Sequence, residues 1–484
     1  FSISFRTPPS DDTGLPHILE HSVLTGSRKF PTREPFVELL KGSLNTFLNA
    51  MTFPDKTMYP VASKNGKDFF NLMDVYLDAV FHPNIYDNPL TLMQEGWHYA
   101  IDDPEGEIAR SGVVYNEMKG AFSSPDNLIF SVIQKSLYPD TVYSKESGGD
   151  PEFIPDLTRE VFLEFHKRYY HPSNGYLFLY GDGDTARELA FINDGYLSAF
   201  DAVKIDSGIT AQHPFHEMTR MTVDYPVSSD EDTAGKTDIS LNFVIGEAAD
   251  PMLRYGMEIL TRILLSTPAS PLKLAIQRSG IGRDVLGVYE SGLLQPFFSI
   301  ILKRSDEDKA EEFMSIINDC LRSLLADGIS TDLVEASINF IEFQLREAEF
   351  PRYPKGLYYN MVALESWLYD ADPLMHLNFA IWIKKIRESA SKGYFENLIR
   401  SHLMENTHRS LVVIRPRKGL AEERERADRE RLASFKSSLS RDAIVKLVEE
   451  NRKLNDYQST PDTEENLAKI PMLAINDINR EPER

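Results

Sequence analysis

His17-Ile18-Leu19-Glu20-His21 places two imidazoles four residues apart with a carboxylate between them. On a helix, residues four apart share a face, so both rings can meet one ion. Glu20 lies three residues after His17 and beside His21. It therefore projects to the same rim without having to bind the metal. The chemistry that needs these groups is metal-assisted hydrolysis: zinc polarises a water and a carbonyl, and the carboxylate accepts the water proton and passes it to the leaving amine. At this composition an H-x-x-E-H run arises by chance in about 2% of such chains, so the motif favours function over coincidence. A catalytic zinc takes three protein ligands and keeps a fourth position open. Many later carboxylates could supply the third. The strongest is Glu117, in the short, mostly apolar run SGVVYNEMKGAF, set against the ordinary reading of a helix-surface carboxylate. The remaining histidines are scattered. His213 and His216 flank a proline in a polar stretch and make a poor ligand pair.

The elements that must position these groups alternate between strand and helix up to about residue 195. FSISFR reads as a strand. Residues 16–25 read as a helix, with Pro16 in the first turn and Gly26 as the stop. Phe36, Val37, Leu39 and Leu40 begin another. SLNTFLNAMTF, residues 43–53, has strand composition. Phe69, Leu72, Met73, Tyr76, Leu77 and Val80 mark a helix face over 68–81. The block, residues 1–202, ends in a helix near 158–170, the polar break HPSN and the strand YLFLYG. Residues 203–236, rich in Pro, Asp, Ser and Thr, read as a linker. A second block, 237–417, opens with DISLNFVIG and closes with NTHR and SLVVIRP, so the two blocks end alike. That is a weak internal repeat with a period of roughly 234 residues. Residues 418–457 are charged and helix-favouring, with Ser440 and Asp442 as cap candidates, and predict a helical hairpin. Residues 458–484 read as an extended connector.

Composition narrows the function classes. The 484 residues suit two to four domains. With 52 Lys+Arg against 74 Asp+Glu, the net charge is −22. Such a chain repels phosphate, so nucleic acid and anionic membrane are poor partners, and basic ligands are better ones. The lone Cys320 excludes an intrachain disulfide framework. It sits on a helical face with Phe313, Ile316, Ile317, Leu321, Leu324 and Leu325, as a core thiol would. No run of about 18 apolar residues predicts a membrane span. The opening FSISFRTPP is a strand already under way and lacks Met, so a preceding segment, with any targeting address, is expected.

FRTPPSDDTGLPHILEHSVLTGSRKFPTREPFVELLKGSLNTFLNAMTFPDKTMYPVAS resembles the presequence protease and falcilysin subgroup of the M16 metallopeptidases. QEGWHY, GVVYNEMKG, ESGGDPEFIPDLT, YYHPSNG, TPASPL and the final INDINREP extend the resemblance over nearly the whole chain. The resemblance implies an α+β fold: two related domains of helices and a mainly antiparallel sheet, forming half of a clamshell, followed by the hairpin. It implies one zinc per chain held by His17, His21 and Glu117, with Glu20 as general base. It assigns Leu48, Asn49, Ala50 and Met51 to an edge on which an extended peptide adds as a strand. It assigns Leu24, Phe36, Val37 and Leu40 to an apolar pocket beside the scissile bond. From pattern alone these eight read as plain strand and helix core. The implied activity is ATP-independent endoproteolysis of short, unstructured and basic peptides, such as cleaved targeting presequences, in the mitochondrial matrix or plastid stroma. Family members are about twice as long. A second half, on the same polypeptide or a separate subunit, is the expected partner and would supply the oxyanion-stabilising residues. The alternatives are a processing-peptidase subunit making one specific cut and a non-catalytic structural subunit on the same fold.

Overall fold

A computed structural model describes residues 1–478. The end of the INDINREP block and of the connector, residues 479–484, lies outside the described residues. The first block is built on β1 (Ser2–Arg6), β2 (Asn45–Leu48), β3 (Met51–Thr52), β4 (Lys56–Ser63) and, after a β5 (His98–Ala100)–β6 (Ala109–Ser111) ribbon, β7 (Gly175–Phe178). The order is β2-β4-β1-β7, with β3 also on β4, and every pairing is antiparallel. Ile3 faces Tyr59 and Leu177 across the ladder. The alternation of FSISFR has a double use. Ile3 and Phe5 enter the first core with Leu19, Leu72 and Tyr76. The opposite parity faces the second block, where Met58, the partner of Ser4, packs on Leu357, Leu364 and Leu368.

Eight helices carry this block: α1 (Leu15–Val23), α2 (Pro35–Leu40), α3 (Gly66–Phe81), α4 (Leu90–Glu95), α5 (Val113–Ala121), α6 (Pro125–Leu137), α7 (Arg159–Tyr169) and α8 (Thr185–Gly195). The strand expected over 43–53 is interrupted. β2 and β3 flank Asn49 and Ala50, and the register shifts between Asn45 and Phe47. Both pieces lie at one edge of the sheet, with β4 on their inner side.

The second sheet runs β10 (Asp284–Glu290), β11 (Phe297–Ser305), β9 (Thr237–Val244), β12 (Arg409–Lys418), β8 (Thr219–Val227). Its core joins Ile239, Phe298 and Leu411 to Leu260, Ile317 and Ile383. Cys320 lies half-buried on that core. The sheet is antiparallel except for β8, which pairs parallel to β12. β8 corrects the expectation of a linker over 203–236. Only Tyr225 and Val227 of this edge strand are buried, so its sequence stays polar, and Pro226 is tolerated there. The border at residue 202 is also crossed in space. α6 lies on the second sheet, its Leu128, Ile129, Val132 and Ile133 packing with Tyr225, Val412 and Ile414.

The hairpin comprises helices Leu420–Ser438 and Arg441–Ser459, and Ser440 Oγ caps the second by accepting from the Ala443 amide. It packs on the β5–β6 ribbon through Leu432 and Val448 against Ile101 and Ile108. None of the described helices is long and apolar enough to cross a membrane.

Candidate metal centre

α1 starts at Gly14, whose φ of 69° is left-handed, and a side chain there would overlap the backbone of Gly148 and Gly149. That close approach brings the loop around ESGGDP onto the first turn of α1. His17 Nδ1 lies 2.9 Å from the Gly148 carbonyl and donates to it. One turn on, His21 Nδ1 lies 3.3 Å from Glu95 Oε2 at the end of α4. With both Nδ1 atoms engaged in this way, each Nε2 keeps its lone pair for an ion. The two rings stand with centroids 4.9 Å apart.

Glu117 arrives on α5. The helix enters through Gly112, where a side chain would run into the Gly96 carbonyl, so α5 is drawn against the turn that follows α4. Glu117 Oε2 lies 3.8 Å from His17 Nε2 and 3.9 Å from His21 Nε2. One ligand atom from each of the three residues falls within 4.8 Å of the other two. The two Glu117 contacts lie about half an ångström beyond the roughly 3.4 Å donor–donor edge that a tetrahedral zinc site requires. Two neutral imidazoles and a carboxylate, both imidazoles fixed from behind, fit that ion. Glu117 is more than half exposed, so the site opens to solvent on its side.

Glu20 is buried, with 8% of its surface exposed. Thr52 Oγ1 donates to its Oε2 at 2.5 Å. Burial raises the Glu20 pKa; Thr52 and the two imidazoles work against that rise, while Glu117 adds to it. A carboxyl moved upward in this way is a better proton acceptor than an ordinary surface glutamate. For His21, burial opposes the charged form, but Glu95, Glu20 and Glu117 outweigh it and raise the pKa.

The other expected residues distribute unevenly. Leu24 and Phe36 are half-buried against the first core, and the Phe36 ring lies 6.3 Å from that of Tyr76. Val37 and Leu40 are 44% and 51% exposed, so the four do not close a pocket within this chain. Leu48 and Ala50 lean on the first core, and Met51 on the cluster beneath the second block. Tyr76 Oη donates to the Asn49 carbonyl at the break between β2 and β3. Past Thr52 the edge leads into a cavity of about 620 Å³ between the blocks, lined by Phe53, Met118, Gly148, Glu290 and Glu365. Three contributors escaped the motif reading: Glu95, Thr52 and Gly148. All lie in the segments QEGWHY, NAMTF and ESGGDP, but nothing in their spacing ties them to α1.

Residues 6–113 match the family Insulinase (Peptidase family M16), residues 156–340 the Peptidase M16 inactive domain, and residues 414–484 the associated region of the C subfamily of M16 peptidases. Protein HypA of Clostridium perfringens is 50% identical over 99% of the chain and 49% of its own length. Presequence protease 1, chloroplastic/mitochondrial, of Arabidopsis thaliana is 43% identical over 100% of the chain and 45% of its own length. The chain thus spans about half the length of these curated relatives. The solved structure of a protease from Helicobacter pylori superposes with a TM-score of 0.67 over 86% of this chain and 93% of that one, at 13% identity, a likeness of fold.

Proposed function

The chain belongs to the M16 peptidase family, and from that premise we propose that it is the zinc-binding part of a metalloendopeptidase that cuts short, unstructured peptides. The observation that carries this is the convergence of His17, His21 and Glu117 within 4.8 Å, with Glu20 buried on the same helix. Zinc, when bound, would supply polarisation of a water and of the scissile carbonyl. The chain's own residues do the rest. Gly148 and Glu95 hold the two imidazoles in the tautomer that leaves Nε2 free. Glu20, held by Thr52, takes a proton onto its carboxylate and returns it to the leaving amine. An extended peptide lies along the outer edge of β2 and β3, main chain to main chain over Leu48, Asn49, Ala50 and Met51. An apolar side chain next to the cut rests on Leu24, Phe36, Val37 and Leu40.

The Arabidopsis relative's name points to presequences as substrates, and an acidic chain of net charge −22 suits such basic peptides. The mitochondrial matrix or plastid stroma is the location that goes with that substrate. The more similar Clostridium relative is bacterial, so the chemistry is separable from the address. The relatives' length supports a second half as partner, closing the chamber and supplying oxyanion donors. Loss of one such donor costs on the order of 10²–10³ in rate.

The test combines metal analysis with peptide digestion. The chain should hold one zinc and lose it on His17→Ala, His21→Ala or Glu117→Gln. Glu20→Gln should keep the zinc. Hydrolysis of an unstructured peptide should be slow in the chain alone, rise on adding the second half, and vanish with Glu20→Gln. A product ladder with many cuts separates this reading from a one-cut processing subunit. Full zinc in His21→Ala would sink the site assignment.

A further inference from the structure

α2 carries three of the four pocket residues yet spans only six, Pro35–Leu40, too short to hold its own position. Its ends are held from far along the chain. Before the helix, the Arg33 amide donates to both Asp462 carboxylate oxygens at 3.2 Å. The Arg33 guanidinium donates to the Tyr457 carbonyl at 2.7 Å and lies over the Tyr457 ring. After the helix, Gly42 is packed so closely under Met472 that any side chain at 42 would meet it. Leu44 and Ser43 bond Asp68 at the start of α3. The cap of that helix, Asn65, in turn donates to the Asp477 carbonyl at 2.6 Å, and Lys67 pairs with the Asp477 carboxylate at 2.8 Å. Between these two grips Ile470 is buried in the first core, 4% exposed.

We infer that residues 457–477 are a strap that pins both ends of α2 and so sets the apolar surface that this chain presents to the side chain beside the scissile bond. This rests on the reading that Phe36, Val37 and Leu40 form that surface. None of the gripping residues is among the metal ligands or the pocket residues, so they are positioning residues. Releasing the strap lets α2 move relative to Tyr76 and the β2–β3 break, which Tyr76 bonds. The edge itself stays paired to β4, so main-chain binding survives while discrimination among side chains is lost. The strap lies within the family's associated region over residues 414–484, which by this account sets that surface as well as connecting.

The experiment uses the whole zinc-loaded chain carrying Glu20→Gln, so that binding is read without turnover. Two fluorescent peptides differ only by Phe or Ala at one position. Asp462→Ala with Asp477→Ala releases the strap without touching any pocket or metal residue. The Phe peptide should weaken roughly tenfold while the Ala peptide binds as before, the size of effect expected for a loosened apolar subsite. Hydrogen exchange over residues 35–44 should accelerate, with α1 unchanged. A lock is available, because a Cβ placed at Gly42 would stand 3.8 Å from that of Met472, the separation a disulfide needs. In a Cys320→Ser background, oxidised Gly42→Cys/Met472→Cys should restore slow exchange and Phe preference to the released variant, and reduction should remove both. Unchanged exchange and unchanged preference in the released variant overturn the strap. Failure of the starting chain to bind either peptide, with exchange still rising on release, overturns the pocket reading and leaves the strap's hold on α2 standing.

Discussion

Glu95→Gln isolates what one residue behind a ligand contributes. Glu95 lies at the end of α4 with its side chain 10% exposed, and Oε2 stands 3.3 Å from His21 Nδ1. Its other oxygen accepts from Gln94 Nε2 at 2.7 Å, so the carboxylate is held from both sides. The charge keeps the proton on Nδ1 and the lone pair on Nε2, the atom facing Glu117. An amide of the same shape still accepts a hydrogen bond but carries no charge, and in its flipped orientation it donates and favours the wrong tautomer. Losing a carboxylate behind a metal-bound imidazole costs about 10–100-fold in affinity, or about 1.4–2.7 kcal/mol. Removing a ligand outright, as in His21→Ala, should cost more. The assay is zinc competition against a chromophoric chelator at pH 7.5, with Glu20→Gln as a matched carboxylate-to-amide change that removes no support for the ion. Glu95→Gln should lie between wild type and His21→Ala, and Glu20→Gln should stay near wild type. Equal zinc affinity in Glu95→Gln and wild type would refute the idea that Glu95 orients His21.

Three other outcomes follow from the same structure. His166 is fully buried, with its Nε2 donating to the Val80 carbonyl and Nδ1 accepting from Tyr86 Oη, and burial lowers its pKa to about 4. A lowered folded pKa means its contribution is complete above the unfolded value of about 6.5 and is lost as pH falls toward 4. His166 alone should therefore cost about 2 kcal/mol between pH 7 and pH 5, and denaturant titrations of His166→Gln should show a smaller acid loss. Asp55 is buried and accepts from Tyr143 Oη at 2.7 Å, Tyr369 Oη at 2.6 Å and Lys56 Nζ at 3.1 Å. Asp55→Ala leaves the buried Lys56 ammonium on the Gly292 carbonyl without its carboxylate counterion at the block interface and should cost about 3–5 kcal/mol, read as a lower thermal midpoint; no change would mean that water replaces the carboxylate. The Asn49 amide donates inward to the Pro60 carbonyl, so the Ala50 amide points outward from the sheet edge. Ala50→Pro should leave folding and zinc intact but weaken peptide binding by more than tenfold, and unimpaired binding by fluorescence anisotropy would take the peptide off this edge.

Part of this molecule was legible without coordinates because the information is local. Four-residue spacing puts His17 and His21 on one face of any helix, and Pro16 sits in the first turn as expected, although the helix ends at Val23, short of the expected stop at Gly26. The period of Phe69, Leu72, Met73 and Tyr76 gives α3, and Ser440 opens the second hairpin helix where a cap was expected. The α+β class and M16 membership follow from sequence as well. What escaped is decided by packing. β8 is polar because an edge strand buries little, so its composition reads as linker. α6 belongs by chain position to the first block, yet its apolar face completes the second core, and periodicity names a face without naming what covers it. Glu95 and Gly148 sit 74 and 131 residues from the imidazoles they fix, and Thr52 sits 32 from Glu20. Helix geometry fixes neighbours only a few residues apart. Bringing these three to α1 takes the close approach of Gly14 to Gly149, the Gly112–Gly96 contact and the pairing of β3 with β4, each a contact that exists only once the chain has folded.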